Sequence, residues 1–195
     1  MRIGICGGTF DPFHRGHLHP VLAARETMEW DRIIYVPAFV QPFKSKQATA
    51  SPLDRFAMAV LATEEHEETY VSKRELERGE ISYSVDTLEE LRAEYPDATL
   101  DWIIGDDNLA ELHRWRNLDR IFELASFVVL TRGRMDVPDD LKNRPIRFAR
   151  NATVPVSSTE IRRRVRAGEP IDELVDPRVS HYIHHYRLYK EDPRD

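Results

Sequence analysis

The chain has 195 residues, 41% of them hydrophobic and 32% charged, with a net charge of −6. That length suits one domain with a small appendage and a core that removes roughly 70% of the unfolded surface from water. The acidic balance argues against broad nucleic-acid binding but leaves room for a small basic pocket, and no run reaches the ~18 apolar residues of a membrane span.

Arg2–Cys6 reads as a buried parallel strand: short, apolar and closed by Gly7-Gly8. The chain then turns at Asp11-Pro12 and meets His14 and His17, three residues apart, at the start of a helix with Leu18, Val21 and Leu22 on one face. Arg32–Pro37 is a second strand, so the first forty residues form a right-handed βαβ unit. A loop over residues 38–51 carries Lys44 and Lys46, and Pro52–Thr63 is a helix with proline in its first turn. Glu64–Thr69 is an acidic patch holding His66, Tyr70–Lys73 a weak strand, and Arg74–Ser82 a charged connection with Gly79.

Ser84–Tyr95 is an amphipathic helix, with Val85, Leu88, Leu91 and Tyr95 at helical spacing. The strand Thr99–Ile104 runs into Gly105-Asp106-Asp107-Asn108. A short helix over Leu109–His113, Trp115 and a helix near Leu118–Leu124 follow. Ser126–Thr131 is a strong strand, Gly133–Arg144 is irregular, and Ile146–Phe148 is a short last strand. Ser157–Ala167 is a helix closed by Gly168, and Asp176-Pro177 opens a final helix with Val179, Tyr182, Ile183 and Tyr186 on its buried face. This alternation predicts an α/β fold: a doubly wound, Rossmann-like parallel sheet with helices on both faces and a small C-terminal helical part.

The lone cysteine, Cys6, excludes an intramolecular disulfide and reads as a buried small hydrophobe. The strand signal at Arg2 leaves no room here for a signal peptide, so a cytoplasmic protein is expected.

Ligands of such sheets lie beyond the carboxyl ends of the strands. Gly7-Gly8 and Gly105–Asp107 both follow strands and belong on that edge. The sequence lacks the P-loop pattern and the G-x-G-x-x-G pattern, so neither of those nucleotide modes is supported. A second anion site is read at Val156-Ser157-Ser158-Thr159-Glu160-Ile161-Arg162. Ser157 and Glu160 form a capping box, and Val156 and Ile161 a hydrophobic staple. Free N–H groups and hydroxyls of Ser158 and Thr159, with Arg162 one turn on, then make a pocket for an anion, although such a box commonly does nothing but cap. His14 and His17 read as donors to a phosphate, with metal ligation and plain capping as the alternatives. His181, His184 and His185 are either a solvated or partner-facing helix end or metal ligands.

Gly7-Gly8-Thr9-Phe10-Asp11-Pro12-Phe13-His14-Arg15-Gly16-His17 and Ser157-Ser158-Thr159-Glu160-Ile161-Arg162 resemble the two signatures of the nucleotidylyltransferase superfamily. With Ser82-Tyr83-Ser84, Asp86-Thr87-Leu88, Ile104-Gly105, Asp107, Trp115 and Tyr182-Ile183 the chain is similar, over nearly its whole length, to bacterial nicotinate-nucleotide adenylyltransferases. The resemblance implies a single nucleotidylyltransferase domain over 1–195, with a C-terminal helical part at about 157–190. It also implies adenylyl transfer from ATP to nicotinate mononucleotide, giving deamido-NAD and pyrophosphate in NAD biosynthesis.

On that resemblance the catalytic residues are His14, His17, Lys44 and Arg162. ATP falls to Gly7, Gly8, Thr9, Phe10, His14, His17, Ser157, Ser158, Thr159 and Arg162. The acceptor falls to Tyr83, Ser84, Thr87, Gly105, Asp107 and Trp115, where an indole stacking on a pyridine ring is weighed against plain packing. Mg2+ enters through the ATP phosphates, with no protein metal site. The partners are the two nucleotides, without nucleic acid or membrane, and self-association is left open. The chain departs from the family pattern at Ala38, Phe43, Asp106 and Arg116, the last where an aromatic commonly follows the tryptophan. All four fall on the acceptor side. Two other readings stay open: a related nucleotidylyltransferase using nicotinamide mononucleotide, phosphopantetheine or another phosphate acceptor, and a non-catalytic nucleotide-binding module.

Overall fold

The computed structural model describes residues 1–42, 48–131, 133, 137–150 and 154–190. Six strands form one wholly parallel sheet: β1 (Arg2–Gly8), β2 (Arg32–Pro37), β3 (Thr69–Val71), β4 (Thr99–Gly105), β5 (Ser126–Thr131) and β6 (Ile146–Arg150). Their order is β3-β2-β1-β4-β5-β6. The chain winds outward from β1 through β2 to β3, then crosses back to lay β4 on the other side of β1. The strand order therefore reverses between β1 and β4, where a crevice opens in doubly wound sheets. Gly8 and Gly105 end the two strands that flank it.

Side chains alternate along each strand, so successive residues serve opposite faces. In β2, Ile33 and Tyr35 enter one core, and Ile34 and Val36 the other. The first core is roofed by helices α1 (Arg15–Met28), α2 (Pro52–Thr63), α7 (Ser158–Ala167) and α8 (Pro177–His185). The second is roofed by α4 (Ser84–Glu94) and α6 (Leu118–Leu124). The C-terminal helices thus share a core with the first βαβ unit: Ile161, Val165, Val179 and Ile183 bury beside Leu18, Val21 and Met58. Tyr182 also donates to the Asp54 carboxylate at 2.9 Å, fastening α8 to α2. Burying each such aliphatic side chain contributes about 1.5–3 kcal/mol before entropy is counted.

Two connections differ from their sequence reading. Arg74–Ser82 contains a short helix, α3 (Arg74–Arg78), closed by Gly79 at φ 70°. Its buried residue is Glu75 and its arginines pair with Glu90 and Glu94 of α4, so it carries no apolar period to detect. Leu109–His113 is not one helix. α5 (Asp106–Leu109) begins three residues earlier, and a separate 3-10 turn covers Leu112–Arg114. Cys6 packs, partly buried, against the first core, and burial pushes its thiol up to about 12. Among the described residues no helix is long and apolar enough to cross a membrane.

Candidate active site

The loop leaving β1 is held from several directions. The Gly8 carbonyl accepts from Ala38 N–H at 2.8 Å, and the Thr9 carbonyl from the wholly buried Arg55 guanidinium at 2.7 Å. Phe10 takes a left-handed backbone, φ 52°, a conformation that costs a non-glycine residue about 1–2 kcal/mol. Its ring repays this by packing between Phe13, His17 and Tyr35. The Asp11 carboxylate is buried and accepts from Thr49 N–H (2.7 Å), Ala50 N–H (3.1 Å) and the Tyr189 hydroxyl (2.9 Å). The Asp11-Pro12 peptide is cis.

Gly7 and Gly8 are required by packing as well as by any ligand. A Cβ on Gly7 would lie 2.8 Å from the Trp102 indole, and one on Gly8 2.7 Å from the Phe10 ring. Protein aromatics fill both voids, so these residues can address a ligand only through their backbone.

His14 caps α1 and His17 follows three residues on. Their rings stack at 3.6 Å and 17°. His14 N–H donates to His17 Nδ1 at 3.2 Å, which assigns the His17 ring proton to Nε2. Burial drives His14 down to about 4, so it is neutral at pH 7. The positive end of the helix dipole acts in the same direction. Neutral imidazoles can still donate, and two stacked rings avoid the repulsion that two imidazolium ions would suffer.

The start of α7 meets this loop from the far end of the chain. Ser158 Oγ donates to the Pro12 carbonyl at 3.1 Å, and Arg162 Nη1 to the Asp11 carbonyl at 2.6 Å. Arg162 Nη2 reaches Thr159 Oγ1 at 3.3 Å. Gly16 permits the approach, since a Cβ there would lie 2.8 Å from Val156 Cγ1 and 3.1 Å from the His14 ring. Two helix N-termini, each with N–H groups that lack intrahelical partners, are thereby brought together, an arrangement suited to an anion.

The capping box is half built. Ser157 Oγ accepts from Glu160 N–H at 3.2 Å. The Glu160 carboxylate turns to Arg163 and Arg164 instead of back to the cap, and those cations hold it down at about 2. Two arginines outcompete one backbone N–H for it. Ser158 likewise offers its backbone to the pocket while its hydroxyl braces Pro12.

The residues read as acceptor-binding take four different places. Tyr83, with Phe39, Val40, Ile81 and Arg116, lines a cavity of about 490 Å³. Its walls are joined by Phe39 N–H to Ser82 Oγ (2.9 Å) and Ser82 N–H to the Val40 carbonyl (2.9 Å). Ser84 begins α4 beside it. Thr87 is fully buried beneath: its hydroxyl donates to Glu75 Oε1 at 2.5 Å and accepts from Arg78 at 3.0 Å. Gly105 and Asp107 stand at the end of β4, with Asp107 exposed and accepting from the Asn108 amide at 2.9 Å. Trp115 is packed edge-on to Trp102 and Phe127. Lys44 and Phe43 lie outside the described residues.

Sequence reading overlooked Arg55, the anchoring role of Asp11, Glu75 and Tyr189. A signal for Arg55 was present: it shares a helical stripe with Met58, Ala59 and Ala62, all core residues. Tyr189 lies 178 residues from its partner and carries no local signal.

This edge defines a class. Residues 5–164 match the family model described as Cytidylyltransferase-like. A protein of Opitutus terrae named "Probable nicotinate-nucleotide adenylyltransferase" is 38% identical over 198 residues, covering 97% of this chain and 98% of that protein. Another of that name, from Corynebacterium jeikeium, is 37% identical over 195 residues, with 94% and 98% covered. A Plasmodium falciparum structure described as nicotinic acid mononucleotide adenylyltransferase complexed with NaAD superposes with a TM-score of 0.77. It is 22% identical, with 96% of this chain and 97% of that one covered, and shows the shared fold. The chain belongs to the cytidylyltransferase-like family, among its nicotinate-nucleotide adenylyltransferases.

Proposed function

We propose that the chain transfers the adenylyl group of ATP to nicotinate mononucleotide, giving deamido-NAD and pyrophosphate. The observation that carries this is the junction of the His14–His17 helix start with the α7 helix start through the carbonyls of Asp11 and Pro12. One end offers imidazole donors, the other backbone N–H groups and a guanidinium.

An oxygen of the acceptor's phosphate attacks the α-phosphorus, the bond to the bridging α–β oxygen breaks, and pyrophosphate leaves with that electron pair. No side chain becomes covalently attached. His14 and His17 donate to the α-phosphate oxygens as charge grows there, while Arg162 and the N–H groups of Ser158 and Thr159 hold the leaving pyrophosphate. Thr9 and Phe10 offer backbone donors, and Lys44 adds charge from its loop. Such donors each supply about 10²–10³ in rate. Tyr83, Ser84, Gly105, Asp107 and Trp115 shape the acceptor side, and Thr87 acts on it from below.

Mg2+ fits this site through the nucleotide. The Asp11 carboxylate is engaged by its own loop, and among the described residues no group of three or more His, Cys, Asp or Glu is arranged around a metal. Brought in with the nucleotide, the ion would supply charge neutralisation. We read the protein as one cytoplasmic catalytic unit acting on free nucleotides, with its state of association open to sedimentation.

The test is an acceptor panel with ATP and Mg2+, read as pyrophosphate. Release that depends on nicotinate mononucleotide is expected. Equal or better turnover with nicotinamide mononucleotide, phosphopantetheine or a sugar phosphate would refute the acceptor.

A further inference from the structure

We propose that the Arg116 side chain reads the carboxylate of the acceptor's pyridine ring, making it the residue that separates nicotinate from nicotinamide mononucleotide. This rests on the acceptor assigned above.

The cavity that holds Arg116 lies beyond β2. Ala38 N–H bonds to Gly8, so Phe39 and Val40 leave the sheet directly beside the phosphate loop. With Ile81 and Tyr83 they present apolar and aromatic surface suited to a flat heteroaromatic ring. The cation on this lining is Arg116. Its guanidinium lies over the Tyr83 ring, 4.7 Å from the centroid. Contact with the ring restrains the guanidinium at moderate cost and leaves N–H groups able to meet a carboxylate.

Two carboxylates share the cavity, Asp86 and Glu80. Asp86 approaches Arg116 at 3.7 Å, with both side chains substantially exposed. A loose pair of that kind contributes little, and one long contact leaves most of the five guanidinium N–H groups for a second acceptor. Glu80 is exposed on the turn and is screened by solvent.

The same carboxylates work against an acidic ring. With Arg116 the three charges sum to −1, and without it to −2, so an acidic ring would meet repulsion that an amide ring would not. Arg116 thus offsets a charge pattern that by itself favours the neutral acceptor. Nicotinate and nicotinamide mononucleotides differ at that one substituent, and a group that pairs with the carboxylate discriminates where ring stacking cannot.

The experiment measures kcat and KM for both mononucleotides in the wild type, Arg116→Gln, Arg116→Lys and Asp86→Asn. Arg116→Gln is expected to lower kcat/KM for the acid by about 10–100-fold, the range of a lost charge-assisted hydrogen bond. The loss should fall on KM, with the amide within about threefold. Arg116→Lys should keep part of the preference, since it retains charge without the fork. Asp86→Asn should improve the acid by about two- to fivefold, the scale of one exposed charge. An unchanged acid-to-amide ratio in Arg116→Gln, or equal loss for both acceptors, overturns the inference while leaving the reaction intact. Failure of the wild type to use nicotinate mononucleotide overturns the functional reading and this one with it.

Discussion

Arg162 donates to the Asp11 carbonyl at 2.6 Å across 151 residues of chain. Its charge also lies 3.7 Å from the Asp11 carboxylate. One guanidinium thereby couples the loop after the first strand to the helix that follows the last. Arg162→Lys keeps a charge but loses the fork that spans Asp11 and Thr159. Its kcat should fall by about 10²-fold or more with the fold retained, as read by pyrophosphate release beside circular dichroism.

On the proposed mechanism His17→Ala removes a donor at the reacting phosphate, and kcat should fall by about 10²–10³. Substitution by Asn, which keeps an N–H donor on a shorter arm, should restore a fraction of the rate. Undiminished turnover in His17→Ala would show that His17 is not a donor at the reacting phosphate.

His14 gives the fold an acid weakness. Its folded value of about 4 lies below the unfolded value near 6.5. As pH drops below 6.5 the unfolded chain takes up a proton that the folded chain refuses, so stability falls until pH reaches about 4. Between pH 7 and pH 5 the loss from this one group is about 2 kcal/mol. Urea titrations at the two pH values should show His14→Asn losing less than the wild type. Above pH 6.5 the two should run parallel.

Gly16→Ala should push Val156 and the His14 ring aside, since the added methyl would lie 2.8 Å from Val156 Cγ1. A drop of about tenfold in kcat/KM for ATP is expected, because small displacements at a positioned site are costly. The double variant Gly16→Ala/Val156→Ala should recover much of it. Additive losses in that cycle would show that the two positions do not share the space.

Arg55→Met leaves the Thr9 and Phe39 carbonyls without their buried donor. The cost should be on the order of 2–4 kcal/mol, seen as a lower midpoint in thermal unfolding. ATP saturation should also weaken, because the proposed mechanism gives Thr9 a backbone contact to the phosphates.

Much of the fold was legible because its signals are local. Arg32–Pro37, Pro52–Thr63, Leu118–Leu124 and Ser126–Thr131 match their observed bounds. Each has a continuous apolar run or a helical stripe, the latter capped by Ser51 in Pro52–Thr63. The region from Arg74 to Arg114 was harder, since α3 is held by ion pairs and α5 is a single turn. For the site, the two signature stretches were visible as glycine, histidine and cap patterns, and the structure joins them. Their supports were not visible. Arg55, Glu75 and Tyr189 act through contacts between distant segments, which periodicity along one segment does not register. Thr87 shows the converse: a motif residue whose hydroxyl is occupied by Glu75 and Arg78.

The sheet is complete at Arg150, yet the groups that close the phosphate site come from Ser157 onward, and Tyr189 pins Asp11 from nearly the last described turn. A chain cut after Arg150 would keep every strand and lose Ser158, Arg162 and Tyr189, so on the proposed mechanism nucleotide binding reports on the docking of the C-terminal helices and not on formation of the sheet.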